Sequence, residues 1–238
     1  MEVLRRVPFF GRLSTEELEG VDARAVARGY GEGTAIYRAG TPARSLYILA
    51  SGRVKITRPR PGGGDVVVDM VLPGEHFGAL PSLGQQTYED TAEALTVSCA
   101  LAISPEDLDQ ILRTYPQVAL ELIPMLAQRL AEARRVITRL SGDSVERRLA
   151  GTLLALADRA GHVQREGTLL QLPLTRADLA GMSGATTESV SRTLSRWRRL
   201  GIIDSGRRWV AIRDRTAIEA RAGAVQQGSA PAATGEPG

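Results

Sequence analysis

From Leu4 to Leu18 the apolar positions fall in short helical clusters, and Ser14-Thr15-Glu16-Glu17 supplies a capped helix start. From about Val26 to Ile103 the texture changes. Short runs rich in β-branched residues (Ser45–Leu49, Arg53–Thr57, Val66–Val71) alternate with glycines at 33, 40, 52, 62–64, 74 and 78. Many short strands with glycine turns predict a sandwich or barrel. At Ser104-Pro105-Glu106-Asp107 the pattern turns helical again: a hydroxyl cap, proline in the first turn, and acids at the positive end of the dipole.

A helical stretch follows Pro116 to about Leu140, with a kink or break expected at Pro124, which has no N–H for Leu120. Beyond it, Ile123, Leu126, Leu130, Ala133, Ile137 and Leu140 repeat alternately three and four residues apart. That seam pairs two helices along their length. It spans little more than two heptads, so a single helix packing on its own domain fits the same spacing. From Val145 to Leu200 the chain reads as mostly helical. A hairpin fits Ile202–Ile203 and Trp209–Ile212 around a turn at Ser205-Gly206, and the tail from Ala222 is too poor in apolar residues to bury a core.

Near the C-terminal end, Thr175 to Met182 reads as a short helix with a Thr-x-x-Asp cap, with Arg176 in its first turn. Ser183-Gly184-Ala185 makes a turn, and a longer helix starts at Thr186. On that helix Val190, Leu194 and Trp197 share one face, while Glu188, Ser191, Arg192, Ser195 and Arg199 share the opposite one. A helix anchored by one face and presenting hydrogen-bonding groups on the other suits the DNA major groove. Arg192 can fork onto guanine O6 and N7, and Glu188 can accept from a cytosine amino group. Ser191 can donate or accept, and Thr186 and Thr187 stand near the helix start, where phosphates bind. Glu188 and Arg192 also suit an ordinary i,i+4 surface pair worth about 0.2–0.5 kcal/mol. Arg207 and Arg208 stand at the hairpin tip, where a wing would meet the phosphate backbone, or are solvated turn residues.

Charge changes this picture modestly. The net charge is +3, but Ser144–Arg215 alone holds 13 Arg against 7 acids, so the remainder is negative. A basic C-terminal half suggests a polyanionic partner, although an arginine-biased composition (Lys55 is the only lysine) gives the same surplus. The single Cys99 excludes a disulfide framework, a four-cysteine zinc site and an iron–sulfur cluster held by the chain's own cysteines; a buried, inert strand thiol is expected. The first twenty residues carry Arg5 and Arg6 but no apolar run of signal-peptide length, and no segment approaches a membrane span. The expectation is a soluble, cytoplasmic protein with no membrane association.

Over roughly Val7 to Arg213 the chain resembles the cyclic-AMP receptor protein and fumarate–nitrate reductase regulator (CRP/FNR) family. The resemblance is carried by Gly33–Gly40, Tyr47–Ile56, Leu72-Pro73-Gly74-Glu75-His76-Phe77-Gly78 and Leu174–Ile203. It implies an α+β protein: an N-terminal β jelly roll of the cyclic-nucleotide-binding type (1–115), a long dimerisation helix (116–142), a C-terminal winged helix-turn-helix (143–221) and a disordered tail (222–238). It also implies a homodimer with its two reading helices about 34 Å apart on a palindrome, and RNA polymerase as a partner. The family's reading helix carries Arg-Glu-x-x-x-Arg or Glu-x-x-Ser-Arg. Thr187, Glu188, Ser191 and Arg192 match the second form, implying a TGA-like half-site in which Arg192 and Glu188 meet a G·C pair.

The pocket departs from the family pattern. A Gly-Glu-Leu turn and a downstream Arg-Ser pair normally take the ribose and phosphate of the cyclic nucleotide. Here the turn is Gly78-Ala79-Leu80, and Thr87–Ala94 contains no arginine, with Asp90 and Thr91 in the Arg-Ser region. On the long helix Ala133 and Arg134 replace the hydroxyl pair that meets the adenine. Three acids near the phosphate position (Glu89, Asp90, Glu93) repel an anion. The expectation is DNA binding without cyclic AMP or any cofactor, with Arg134 pairing with one of those acids in the ligand's stead. An effector of another kind remains an alternative.

Two other classes fit less well. Jelly-roll enzymes need clustered His and carboxylate ligands, whereas only His76 (read as a loop residue) and His162 exist, in different domains. No metal is expected. A protein-interaction module acting through Ile123–Leu140 leaves the polar face of the second helix unexplained.

Overall fold

The computed structural model describes residues 2–59, 65–79, 84, 86–206 and 208–223, excluding the side chains of 129, 132, 133 and 135–141. The chain forms two compact units, Met1–Thr138 and Arg139–Gly238.

The first unit begins with α1 (Glu2–Arg5), a 3-10 turn at Pro8–Phe10 and α2 (Thr15–Asp22). Ser14 caps α2 in a reciprocal box with Glu17. Eight strands follow: β1 (Val26–Tyr30), β2 (Ala35–Tyr37), β3 (Leu46–Ser51), β4 (Val54–Pro59), β5 (Asp65–Val71), β6 (His76–Gly78), β7 (Thr91–Ala94) and β8 (Ser98–Ile103). They form two four-stranded sheets ordered β1-β8-β3-β6 and β2-β7-β4-β5, the two layers of a jelly roll. Between the layers lie Tyr37, Tyr47, Phe77 and Tyr88 with Leu49, Val54, Ile56 and Val71. On its other face the first sheet packs Leu46, Ile48 and Ile103 against Leu4, Phe9, Phe10 and Leu18 of the N-terminal helices.

α3 (Pro105–Thr114) starts at the expected cap, where Ser104 accepts from the Asp107 N–H. α4 (Pro116–Gly142) then continues through Pro124, so of the expected kink or break the break does not occur. Its first turns carry two apolar faces. Val118 and Leu122 are buried against the jelly-roll core, with Met125 beside them. Ile123 and Leu130, on another side, are 63% and 56% exposed.

The second unit holds α5 (Val145–Ala160), β9 (His162–Gln164), β10 (Gly167–Leu170), α6 (Arg176–Ser183), α7 (Thr187–Arg199), β11 (Ile203–Gly206), β12 (Trp209–Ile212) and α8 (Arg215–Ala222). The mostly helical expectation between Val145 and Leu200 therefore missed a strand pair. β9 and β10 extend the hairpin into a four-stranded sheet ordered β11-β12-β10-β9. Strands this short give no usable alternation, and Gly161 and Gly167 look like loop punctuation. The hairpin turn is also displaced. Ser205 and Gly206 lie within β11, paired with Val210 and Trp209, so the reversal comes after them, where Arg208 takes φ 67°. Ala222 ends α8 instead of opening a tail; the rest of the tail, from residue 224, lies outside the described residues.

Candidate nucleic-acid interface

α6 and α7 form the helix-turn-helix, and each cap is written locally in the chain. Thr175 accepts from the Asp178 N–H at 3.1 Å, while the Asp178 carboxylate accepts from the Thr175 N–H at 2.7 Å. Gly184 ends α6 in the left-handed region (φ 59°, ψ 37°), which a residue with a Cβ reaches only at a cost. Thr186 caps α7 by accepting from the Ser189 N–H at 3.2 Å. Its hydroxyl in turn donates to Ser189 Oγ at 3.0 Å.

The turn is braced by Arg148 of α5, a residue the sequence pattern did not single out. Its Nε donates to the Ser183 carbonyl at 2.8 Å and its Nη2 to the Gly184 carbonyl at 3.0 Å. A third bond reaches the Asp143 carbonyl. One guanidinium thus satisfies carbonyls that the end of α6 leaves open. The only sequence signal was an arginine one turn into a basic, capped helix.

α7 is seated by Val190, Leu194 and Trp197, all at most 1% exposed. The Trp197 Nε1 donates to Glu146 of α5 at 2.8 Å, and Arg196 and Arg221 also pair with that carboxylate. Burial alone would raise the Glu146 pKa, but the bonds from Trp197 and Arg196 and the two guanidinium charges hold it below the usual carboxylate range. Glu146 was likewise missed by the sequence reading.

On the opposite face Glu188, Ser191, Arg192, Ser195 and Arg199 line one open groove of about 820 Å³ together with Ser144 and Glu146 at the start of α5. Glu188 and Arg192 lie 3.6 Å apart with side chains 79% and 71% exposed, and Arg192 also reaches Ser189 Oγ at 3.4 Å. The five residues expected to share a face therefore do so. The surface-pair geometry is present as well, and it leaves both groups accessible. Thr175 is exposed but occupied in its cap, Arg176 is half-buried, and Arg208 is exposed at the hairpin tip; Arg207 lies outside the described residues.

Within the jelly roll, aromatic rings fill the space between the sheets. Tyr37 and Tyr88 stack with centroids 3.9 Å apart, and Tyr47 stacks on Phe77 at 5.2 Å. Ala79 is buried in the same cluster. Gly78 takes φ 95°, and a Cβ there would sit 2.9 Å from the Ser45 carbonyl. The Tyr88 hydroxyl accepts from the Arg44 and Ser45 N–H groups at 3.1 and 3.0 Å. Asp90 accepts from the Tyr37 hydroxyl at 3.0 Å, and burial raises its pKa. Thr91 accepts from the Ala39 N–H. Glu89 pairs with Arg58 at 2.9 Å and Glu93 with Lys55 at 3.7 Å, so these acids have partners within the jelly roll. Arg134 is exposed. Leu80 and the side chains of Ala133, Ile137 and Leu140 lie outside the description. Leu126 is half-buried.

Two smaller expectations need correction. His76 lies in β6, not in a loop, and is buried with its ring edge-on to Phe9 at 5.2 Å. Cys99 in β8 is half-buried instead of fully enclosed. Among the described residues no group of three or more His, Cys, Asp or Glu could hold a metal ion, and no helix is long and apolar enough to cross a membrane.

Comparison with known proteins agrees with this architecture. Residues 27–115 match the model of the cyclic nucleotide-binding domain and residues 147–221 that of the Crp-like helix-turn-helix domain. The chain is 30% identical over 212 residues to the cyclic AMP receptor protein of Thermus thermophilus, covering 89% of this chain and 95% of the relative. It is 27% identical over 192 residues to electron transport regulator A of Shewanella oneidensis, covering 81% and 76%. Among solved structures, FixK2 from Bradyrhizobium japonicum superposes with a TM-score of 0.73 at 26% identity, covering 82% of this chain and 96% of that one. The c-di-GMP responsive regulator CLP of Xanthomonas campestris superposes at 0.71, also at 26% identity, covering 84% and 99%. A jelly roll joined to a winged helix-turn-helix of this kind defines a DNA-binding transcription regulator. The chain belongs to the CRP/FNR family, whose members are regulators and not enzymes.

Proposed function

We propose that the protein works in the cytoplasm as a homodimer that binds a palindromic DNA site, reads a TGA-like half-site with α7, and needs no cyclic AMP to do so. The observation that carries this reading is the exposed Glu188–Arg192 face, which looks into an open groove while the opposite face of α7 is buried. Arg192 forks onto the guanine and Glu188 accepts from the cytosine paired with it, each contact worth about 1–3 kcal/mol of discrimination. Ser191 and Ser195 adjust to neighbouring base edges. Thr187, Arg176, Arg199, Arg207 and Arg208 hold phosphates and fix the register. Thr175 contributes by capping α6.

Dimerisation is supported by Ile123 and Leu130, large apolar side chains that α4 leaves exposed while Val118 and Leu122 serve the domain core. A second copy laid along Ile123, Leu126, Leu130, Ala133, Ile137 and Leu140 would cover them. Independence from cyclic AMP is supported by Ala79, which supplies no ribose acceptor, and by the aromatic rings that fill the space between the two sheets. Thr87–Ala94 also offers no arginine to clamp the cyclic phosphate. Several relatives bear names that mention cyclic AMP, including the 27%-identical CRP-like cAMP-activated global transcriptional regulator of Mycobacterium tuberculosis. Activation of transcription through a contact with RNA polymerase completes the reading.

The test is selection of bound duplexes from a random pool by purified protein, with and without cyclic AMP. A palindrome enriched equally under both conditions supports the proposal. Enrichment only with the nucleotide, or of no duplex under either condition, would overturn its effector independence.

A further inference from the structure

The jelly roll carries a cavity of about 720 Å³ that borders the aromatic cluster between the sheets. Its walls come from β1, β2, the segment entering β3 and the start of α3, and its volume falls within the range of small-molecule sites, roughly 300–1,000 Å³. Tyr37, Tyr47 and Tyr88 line it while also belonging to the apolar cluster between the sheets. These rings therefore partition the outer cavity from the interior.

Arg28, Arg38 and Arg44 converge on this cavity and are exposed. None of the three guanidinium groups pairs with a carboxylate among the described residues. Elsewhere the unit pairs its surface arginines readily, as in Arg58–Glu89, Arg113–Asp109 and Arg12–Glu121. Arg24 also reaches the lining, with one N–H given to the Gly20 carbonyl at 2.7 Å. The one carboxylate of the lining, Asp107, is engaged in the α3 cap, where Ser104 Oγ donates to it at 2.6 Å. The Tyr88 hydroxyl fixes the backbone beneath Arg44 through its bonds to the Arg44 and Ser45 N–H groups. Four arginines against one carboxylate leave the concave site with an excess of positive charge, and a multiply charged anion relieves the repulsion among them while accepting several guanidinium bonds.

We propose that the cavity bounded by Arg28, Arg38 and Arg44 binds a small molecule through a phosphate or pyrophosphate group. Guanidinium forks match the oxygens of such a group, and the flanking phenol rings offer an apolar wall to the rest of the ligand. The site is separate from α7 and is not required for DNA binding.

Calorimetric titration of the full chain with inorganic pyrophosphate, at ionic strength held constant with chloride, tests this. The DNA-reading face also carries arginines, so three proteins are compared: the parent, R38Q/R44Q and R192Q/R199Q. The expected result is saturable binding that survives in R192Q/R199Q and weakens by about tenfold or more in R38Q/R44Q. The single variant Arg28→Gln, one exposed side chain on an edge strand, is expected to weaken it in the same direction. No binding beyond the chloride control would overturn the proposal. So would binding that is lost in R192Q/R199Q and retained in R38Q/R44Q.

Discussion

The indole N–H of Trp197, on the buried face of α7, donates to the Glu146 carboxylate in the first turn of α5 at 2.8 Å. Trp197 is fully buried, so its N–H has no water to turn to if that acceptor is removed. Glu146→Ala is expected to cost about 1–3 kcal/mol of stability, the desolvation penalty of a stranded donor. It is also expected to weaken specific DNA binding by loosening the seat of α7. Glu146→Gln keeps an acceptor and should recover part of both. Thermal melting and binding to a half-site duplex check the pair; equal behaviour of Glu146→Ala and the parent would contradict it.

The same carboxylate sets a pH dependence. Its pKa is lowered in the folded state, so the stability it contributes is present above the unfolded-state value and is lost as pH falls through the native one. Melting temperatures measured from neutral to acid pH should fall less steeply for Glu146→Gln than for the parent.

Asp90 has the opposite sign. Burial raises its pKa, with the Tyr37 hydroxyl and Arg58 offsetting part of the shift. A raised native pKa means the ionised form is disfavoured in the fold, so stability declines as pH rises through that value. Asp90→Asn retains an acceptor for the Tyr37 hydroxyl and is expected to be more stable than the parent at neutral pH, with the advantage shrinking in acid. A variant less stable than the parent at neutral pH would contradict this.

The two apolar faces of α4 separate self-association from folding. Ile123→Glu and Leu130→Glu place charge on exposed positions and are expected to shift sedimentation from dimer to monomer with little change in jelly-roll melting. Leu122→Ala removes a buried side chain and should cost about 2–5 kcal/mol. Retention of the dimer in the Leu130→Glu protein would point to another interface.

Much of this was legible in the sequence where a local rule decides the structure. Caps at Ser14, Ser104 and Thr175 are short-range hydroxyl patterns, and all three sit where helices begin. The two faces of α7 follow from helical period alone. β9 and β10 were not legible, because a strand of three or four residues gains its stability from neighbours distant in sequence. Pro124 does not break α4 for a related reason: loss of one N–H is a local cost, and the packing of Val118 and Leu122 on the core is not visible in a window around the proline. Glu146 and Arg148 act across 51 and 35 residues of chain, to Trp197 and Ser183, beyond any spacing rule. The pocket was half legible. The missing acceptor at Ala79 is a one-residue reading, whereas the stacking of Tyr37 on Tyr88 joins positions 51 residues apart.

Arg192 offers a direct check on base reading, because its exposed side chain contributes little to the fold. Arg192→Ala is expected to cost about 1–3 kcal/mol on the cognate duplex and to relax the preference for G at one position of the half-site. Arg199→Ala should weaken all duplexes alike and reduce the salt slope by about one. Competition assays with single-base variants of the site distinguish the two patterns.

Fluorescence anisotropy of a labelled palindromic duplex, titrated with the protein in the presence and absence of cyclic AMP and at several salt concentrations, tests the central claim most directly. The predicted result is one tight, salt-sensitive isotherm, unchanged by the nucleotide and far weaker on a scrambled duplex. Binding that appears only with cyclic AMP, or that does not distinguish the palindrome from its scrambled form, would contradict it.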